Sequence, residues 1–148
     1  MTSVLLDANI LVYCYDARNQ GRQQRALHLM AALRSRGRGA VSTQALAEFY
    51  SVVVRRLPQV SGREALARIA ELASTFPVCD VTLLTVLEAA RAAHQYRMSY
   101  WDAQLWATAK LNQIPTILTE NMQGRESLEG VRFINPFEPA FDIAAFVG

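Results

Sequence analysis

The stretch SVLLDANILVYCYD, Ser3 to Asp16, decides how this chain is read. Its first part, SVLLD, is a short apolar run that stops at an acid, as a buried strand does at its carboxyl end. The following ILVYCYD is a short apolar segment that reads as a first helical turn or two. A buried strand feeding a helix is the opening of an α/β fold. A leader peptide would look similar at first glance. This one has no basic n-region, and Asp7 interrupts it, so it reads as a first strand. Cytosolic residence is the default expectation.

Outward from there the alternation repeats. Ala26, Leu29, Met30 and Leu33 recur at helical spacing between Arg22 and Ser35. GAVST is a second strand, stopping at the helix-capping residues Ser42 and Thr43. Leu46, Phe49, Tyr50 and Val53 mark the helix that follows, with Pro58 at or just past its end. SGRE, Ser61 to Glu64, fits a capping box, with Leu66, Ile69, Ala70 and Ala73 as the apolar stripe behind it. PVCDV is a third strand. Leu83, Leu87, Ala90 and His94 suggest the next helix, and SYWD, Ser99 to Asp102, opens another that runs to about Asn112. PTILT is a fourth strand and VRFINPF a fifth, stopped by Pro136. The tail EPAFDIAAFVG is apolar enough to dock, with no signal for where.

Strands alternating with helices imply crossover connections, hence a parallel sheet with helices on both faces. The expectation is one domain, residues 1–148, as a three-layer α/β/α sandwich. The length of 148 residues suffices for a packed core without disulfides. Hydrophobic residues make up 51%, yet no run approaches the roughly 18 apolar residues of a membrane span. Cys14 and Cys79 lack metal-ligand spacing and read as small packing residues. A net charge of +2 is too weak to argue for a nucleic-acid partner. Lys110 is the only lysine among fifteen basic residues, a bias that coding composition or bidentate phosphate contacts would each produce. Arg34, Arg36 and Arg38 read either as a solvated helix end or as a phosphate track.

Ligands on such sheets bind beyond the carboxyl ends of the strands, near a switch in strand order. Three acids fall in that region. Asp7 ends the first strand, with Asn9 placed to brace it; each is also an ordinary helix cap. Glu48 lies off the apolar stripe of its helix beside Gln44, where a solvated surface acid is the plain alternative. Asp102 fits the third position of a capping box and lies about 100° round from Trp101, which reads as part of an apolar stripe with Leu105, Thr108 and Ala109. Carboxylates gathered at one sheet edge would repel one another unless a cation bridged them. Hard divalent ions with oxygen ligands, Mg²⁺ or Mn²⁺, suit such a set. His28 and His94 have no acid or cysteine set beside them and read as surface or core-margin residues.

The order of these blocks resembles the PIN-domain ribonucleases, in particular VapC-type toxins of bacterial toxin–antitoxin modules. The resemblance is carried by VLLDANIL around Asp7, STQALAEFY around Glu48, SYWDAQLWATA around Asp102, ILTENMQG and VRFINPF, covering roughly residues 3 to 137. It implies a parallel five-stranded sheet and Mg²⁺- or Mn²⁺-dependent cleavage of RNA phosphodiesters. Asp7, Glu48 and Asp102 match the family's acidic triad. Asn9 matches its usual Asn, and Thr119 a hydroxyl that steadies the site. The family typically reads Glu-Asp where Glu120-Asn121 stands here. Asn121 keeps one carbonyl oxygen and loses the charge, so looser metal binding is expected, with Glu120 pointing away. The resemblance also implies a homodimer, an antitoxin whose C-terminal segment covers the acidic groove, and transfer or ribosomal RNA as substrate. A degenerate PIN domain that binds without cutting is the alternative. A phosphatase would want an acid at Asn9, and a receiver domain a lysine at a late strand end, where Lys110 does not fall.

Overall fold

The computed structural model describes residues 3–148. Met1 and Thr2, which the expected domain bounds include, lie outside the described residues. The elements alternate as β1 (Val4–Leu6), α1 (Ala8–Tyr13), α2 (Gln20–Arg36), β2 (Gly39–Ser42), α3 (Thr43–Arg56), α4 (Gly62–Thr75), β3 (Val78–Cys79), α5 (Leu83–Tyr96), α6 (Tyr100–Leu111), β4 (Thr116–Leu118), β5 (Ser127–Leu128), β6 (Val131–Ile134) and α7 (Ile143–Val147).

The sheet order is β3-β2-β1-β4-β6-β5. β1 is central and parallel to both neighbours, and β2–β3 and β4–β6 are also parallel. The five expected parallel strands are therefore present. The sheet has six strands and not five, because β5 adds an antiparallel edge. That hairpin turns through Glu129 (φ 46°) and Gly130 (φ 88°), the two positive-φ positions of a type I′ turn. Glu in the first of them hides the signal that Asn or Asp would have given.

Alternation along the strands divides the core. Val4, Leu6, Val41 and Leu118 face α1 to α4 and α7, while Leu5, Ala40 and Ile117 face α5 and α6. The result is three layers. α6 is buried nearly all round, from Ala103 to Ala109. α5 lies against it through Ala89 and Ala92, small residues that permit close approach.

Three helical faces differ from the sequence expectation. α4 buries Ala65 and Leu72, while Leu66 is 63% exposed. α5 buries Thr85, Ala89 and Ala92, and turns Leu83 and Leu87 to solvent. Trp101 is 62% exposed and does not join the buried face of α6. The tail is placed: α7 packs on α2, with Ile143 and Val147 buried. Arg25 donates to the carbonyls of Pro136 and Phe141, and Arg38 to that of Phe146. Of the three arginines read either as a solvated helix end or as a phosphate track, Arg38 is thereby spent on the chain's own tail.

Candidate functional site

The strand order reverses at β1, so β1 and β4 end side by side at a switch point. The register pairs Leu6 with Leu118, which sets Asp7 beside Thr119. Asp7 N–H donates to the Leu118 carbonyl at 3.0 Å. The Asp7 side chain caps α1, its Oδ1 accepting from Ala8 N–H at 2.7 Å. Its Oδ2 accepts from the Thr119 hydroxyl at 2.7 Å. The helix-cap reading of Asp7 is thus correct, and it does not exhaust the residue.

A cleft of about 550 Å³ opens above this point, lined by Asp7, Asn9, Glu48, Asp102 and Asn121 among others. Its length runs between two helices. α1 contributes Asn9, Val12 and Tyr13, with Asp16 just past its end; α3 contributes Gln44, Glu48, Val52 and Arg56, one residue per turn. The start of α6 adds Trp101, Asp102 and Leu105. Burial pushes the Asp7 carboxyl up from 3.8 to about 6, against its two hydrogen bonds, and the charges of Glu48 and Asp102 push the same way. Asp102 is raised by burial first and by Glu48 second. The Asp102 carboxylate has no hydrogen-bond partner among the described residues. Ser99, the N-cap of α6, makes no side-chain cap bond, so Asp102 is not part of a capping box.

Glu48 is held by its expected neighbour Gln44, and through it by residues that the sequence did not single out. Its Oε1 accepts from Gln44 Nε2 at 2.9 Å, and the same nitrogen reaches the Trp101 carbonyl at 3.0 Å. Gln44 Oε1 in turn accepts from Gln104 Nε2 at 2.9 Å, and Gln104 Oε1 from the Tyr100 hydroxyl at 2.8 Å. Gln104, 7% exposed on a helix buried all round, was the available signal: a buried amide needs partners.

Glu120 and Asn121 both line the cleft and differ in what holds them. Glu120 accepts from the Tyr13 hydroxyl at 2.7 Å and from Arg22 Nε at 2.5 Å. Arg22 also lies 5.6 Å from the ring centres of both Tyr13 and Phe137. Both Glu120 oxygens are therefore engaged by the protein. Asn121 is exposed on the cleft, and its Oδ1 accepts from Gln123 N–H at 3.0 Å, an Asx turn that uses one of the oxygen's two lone pairs.

The donor set suits a hard cation. All of the cleft's candidate ligands are oxygens, and Asn9 Oδ1 is buried without a hydrogen-bond partner. Like charges around Asp7 give a cation something to relieve. Among the described residues, no three acids, histidines or cysteines converge closely enough to chelate an ion directly. Mg²⁺ customarily keeps several waters and takes one or two carboxylates, so the wider arrangement fits it better than a closed cage would.

A family model described as PIN domain matches residues 4–123. Comparison with curated proteins gives no match. Among solved structures, the chain is similar to a toxin–antitoxin complex from Klebsiella pneumoniae, at 24% identity over 92% of this chain and 99% of that one, with a TM-score of 0.67. It is similar to FitAB bound to a DNA fragment, at 18% identity, 91% and 96% coverage and a TM-score of 0.68. It is also similar to VapC20 of Mycobacterium tuberculosis, a sarcin-ricin-loop-cleaving toxin, at 21% identity, 78% and 87% coverage and a TM-score of 0.64. At these identities the likeness speaks to the fold.

Proposed function

The chain belongs to the PIN-domain family, and from that premise we propose that it is a divalent-metal-dependent endoribonuclease, the toxin of a bacterial toxin–antitoxin pair. One observation carries this reading. Asp7, Glu48 and Asp102, from the start, first third and last third of the chain, line one cleft at the sheet's switch point. Their proximity is felt in the raised Asp7 carboxyl.

In this reading Asp7 and Asp102 hold Mg²⁺ or Mn²⁺, with Glu48 and Asn121 contributing an oxygen directly or through water. The ion, when bound, supplies neutralisation of the scissile phosphate and polarisation of its oxygens. Glu48, steadied by Gln44, accepts the proton of the attacking water as its oxygen bonds to phosphorus, and the bond to the leaving ribose oxygen breaks with that oxygen taking a proton from solvent water. Thr119 and the Ala8 N–H keep Asp7 in place; Asn9, expected to brace it, makes no hydrogen bond to it, and its buried, unpartnered Oδ1 is a further oxygen for the ion or its water. Arg56, on the cleft wall, takes a flanking phosphate, whereas Arg18 beside it is already forked onto Asp16 at 2.8 and 3.0 Å. Transfer or ribosomal RNA is the proposed substrate, and the cytoplasm the proposed compartment. No helix among the described residues is long and apolar enough to cross a membrane. An antitoxin is the proposed inhibitor, in keeping with the toxin–antitoxin complexes of similar fold. The exposed Leu83, Leu84 and Leu87 of α5 give a homodimer an apolar face to use.

The test is cleavage of RNA in Mg²⁺ by the wild-type chain and by Asp7→Asn and Asp102→Asn. Activity lost in both supports the assignment; undiminished cleavage in either variant sinks it. A second reading, a PIN domain that binds RNA or antitoxin with little cleavage, is favoured by the engaged amide oxygen of Asn121. Titration with Mn²⁺ separates the two, since a weakened nuclease gains activity and a pure binder does not.

A further inference from the structure

The chain has two tryptophans, and the fold treats them oppositely. Trp106 is 0% exposed, and its Nε1 donates to the Leu128 carbonyl at 3.0 Å. Trp101 is 62% exposed, and it lines the acidic cleft. Leaving a large indole in water gives up burial that the fold uses from Ala103 to Ala109 of the same helix. Its backbone is nevertheless fixed: the Trp101 carbonyl accepts from Gln44 Nε2, the same nitrogen that holds Glu48, and Tyr100 packs at its side, ring centres 5.1 Å apart and 85° inclined. The residue is thus tied through its carbonyl to the amide that holds Glu48, and it directly precedes Asp102.

Resting on the nuclease reading, we propose that Trp101 is the nucleobase platform of the cleft, stacking on an unpaired base next to the scissile phosphate while Arg56 takes a phosphate at the far end. An indole face stacks on any base, and aromatic platforms beside cationic side chains are how single strands are held. The spacing supports a track. Gln44 fixes the Trp101 end of α3, and Arg56 lies twelve residues further along it, about 18 Å at 1.5 Å per residue. Glu48 falls between them on the same face. Arg56 is exposed and makes no hydrogen bond or ion pair among the described residues. A base inside a duplex has both faces covered by its neighbours, so the platform selects unpaired RNA. A protein partner would also cover an exposed indole, but the wall it shares with Asp7, Glu48 and Asp102 is polar and charged, which suits a ribose-phosphate chain better.

The experiment is steady-state cleavage of a single-stranded oligoribonucleotide in Mn²⁺ by wild type, Trp101→Ala, Trp101→Phe and Arg56→Ala, with tryptophan emission followed in EDTA as the same RNA is added. Trp101→Ala should raise KM by about 5- to 150-fold with kcat within a few-fold, the range of one lost base stack. Trp101→Phe should recover most of that loss. RNA should quench the wild-type emission and leave that of Trp101→Phe, which reports buried Trp106, unchanged. Arg56→Ala should flatten the dependence of log affinity on log salt by about 0.7, the value of one phosphate on a single strand. Replacing one nucleotide by an abasic one should cost the wild type and not Trp101→Ala. If the wild type cuts and Trp101→Ala has the same KM, the platform is overturned and the nuclease stands. A change of solution mass in Trp101→Ala without a change in KM makes the indole a protein contact and also overturns it. If the wild type neither cuts nor binds the RNA, both readings fall together.

Discussion

Thr119 donates its hydroxyl to Asp7 Oδ2 at 2.7 Å, joining the carboxyl ends of two adjacent parallel strands across 112 residues of chain. The bond favours the charged form of Asp7, yet burial and two neighbouring carboxylates outweigh it. The metal-free protein therefore carries a charge that its fold disfavours.

That imbalance has a sign that can be worked out. The Asp7 carboxyl titrates at about 6 in the fold and at 3.8 unfolded. Below 3.8 both states hold the proton, and nothing is gained or lost. As pH rises toward 6 the unfolded state releases its proton first, so folding stability falls, by at most about 3 kcal/mol in all. Asp7→Asn removes the penalty and adds a pH-independent loss of cap and Thr119 geometry. The stability of Asp7→Asn relative to wild type, measured by urea denaturation in EDTA, should rise by about 2 kcal/mol from pH 4 to pH 7. A difference that stays constant with pH would show that Asp7 is not strained.

Adding Mg²⁺ should reverse the same penalty. Wild type at pH 7 should melt higher as Mg²⁺ is raised, by the usual linkage of a ligand that binds only the folded state. The gain should shrink at pH 5, where Asp7 holds a proton. Asn121→Asp adds a charge on the cleft and should lower the Mg²⁺ midpoint at least about threefold, given that one charge at ~4 Å is worth about 1 kcal/mol even in water. An unchanged midpoint would remove Asn121 from the ion's surroundings.

Gln104 supports Glu48 through Gln44 and accepts from Tyr100. Gln104→Leu keeps the volume but leaves Gln44 Oε1 and the Tyr100 hydroxyl without their partners. It should cost about 1–3 kcal/mol of stability. Cleavage should lose kcat more than KM, because Glu48 is freed to turn and no group facing the RNA is removed. A loss confined to KM would place Gln104 elsewhere in the mechanism.

What was legible in the sequence follows from which residues do the packing. Each strand of the parallel sheet is a short apolar run between polar ends, and all five could be read. The acids fall at a strand end (Asp7) or within the first two turns of a helix (Asp102 and Glu48), positions that a parallel sheet gathers on one edge. The buried faces of α4 and α5 could not be read, because alanines make the close contacts there. Ala65, Ala89 and Ala92 are fully buried, while the bulkier Leu66, Leu83 and Leu87 face outward. A stripe drawn through the largest apolar residues lands on the wrong side. The tail had no periodic signal, since arginine side chains bonded to its backbone carbonyls help to hold it, and those bonds are indifferent to its sequence. The Gln44–Gln104 relay was hidden for a related reason: one amide sits on α3 and the other on α6, sixty residues apart.

A tight contact at the start of β2 gives a prediction independent of function. A Cβ built on Gly39 would stand 2.6 Å from two carbons of the Phe76 ring. Phe76 is 5% exposed and has little room to move. Gly39→Ala should therefore destabilise the fold by about 1–3 kcal/mol, the usual cost of overpacking. Phe76→Leu in the same chain should relieve part of that cost, so the double variant should be less unstable than the two single losses summed. A neutral Gly39→Ala would mean that the ring shifts freely.

The neighbouring pair Glu120 and Asn121 can be told apart by one substitution. Glu120 is fixed by Tyr13 and Arg22, and the ion pair is partly exposed, with side-chain exposures of 42% for Arg22 and 24% for Glu120. Glu120→Gln keeps the shape and can still accept from Tyr13, but it sets an amide N–H₂ or a neutral oxygen against the guanidinium. For a half-solvated pair the cost should be about 1 kcal/mol. The Tyr13 hydroxyl, held up to about 12 by burial first and by Glu120 next, should then ionise at lower pH, which ultraviolet titration reads directly. The Mg²⁺ midpoint should stay within about twofold, because both Glu120 oxygens are already engaged, by Tyr13 and by Arg22. A Glu120→Gln midpoint weakened about tenfold, the equivalent of 1.4 kcal/mol, would instead make Glu120 the missing fourth acid and leave Asn121 as its turn.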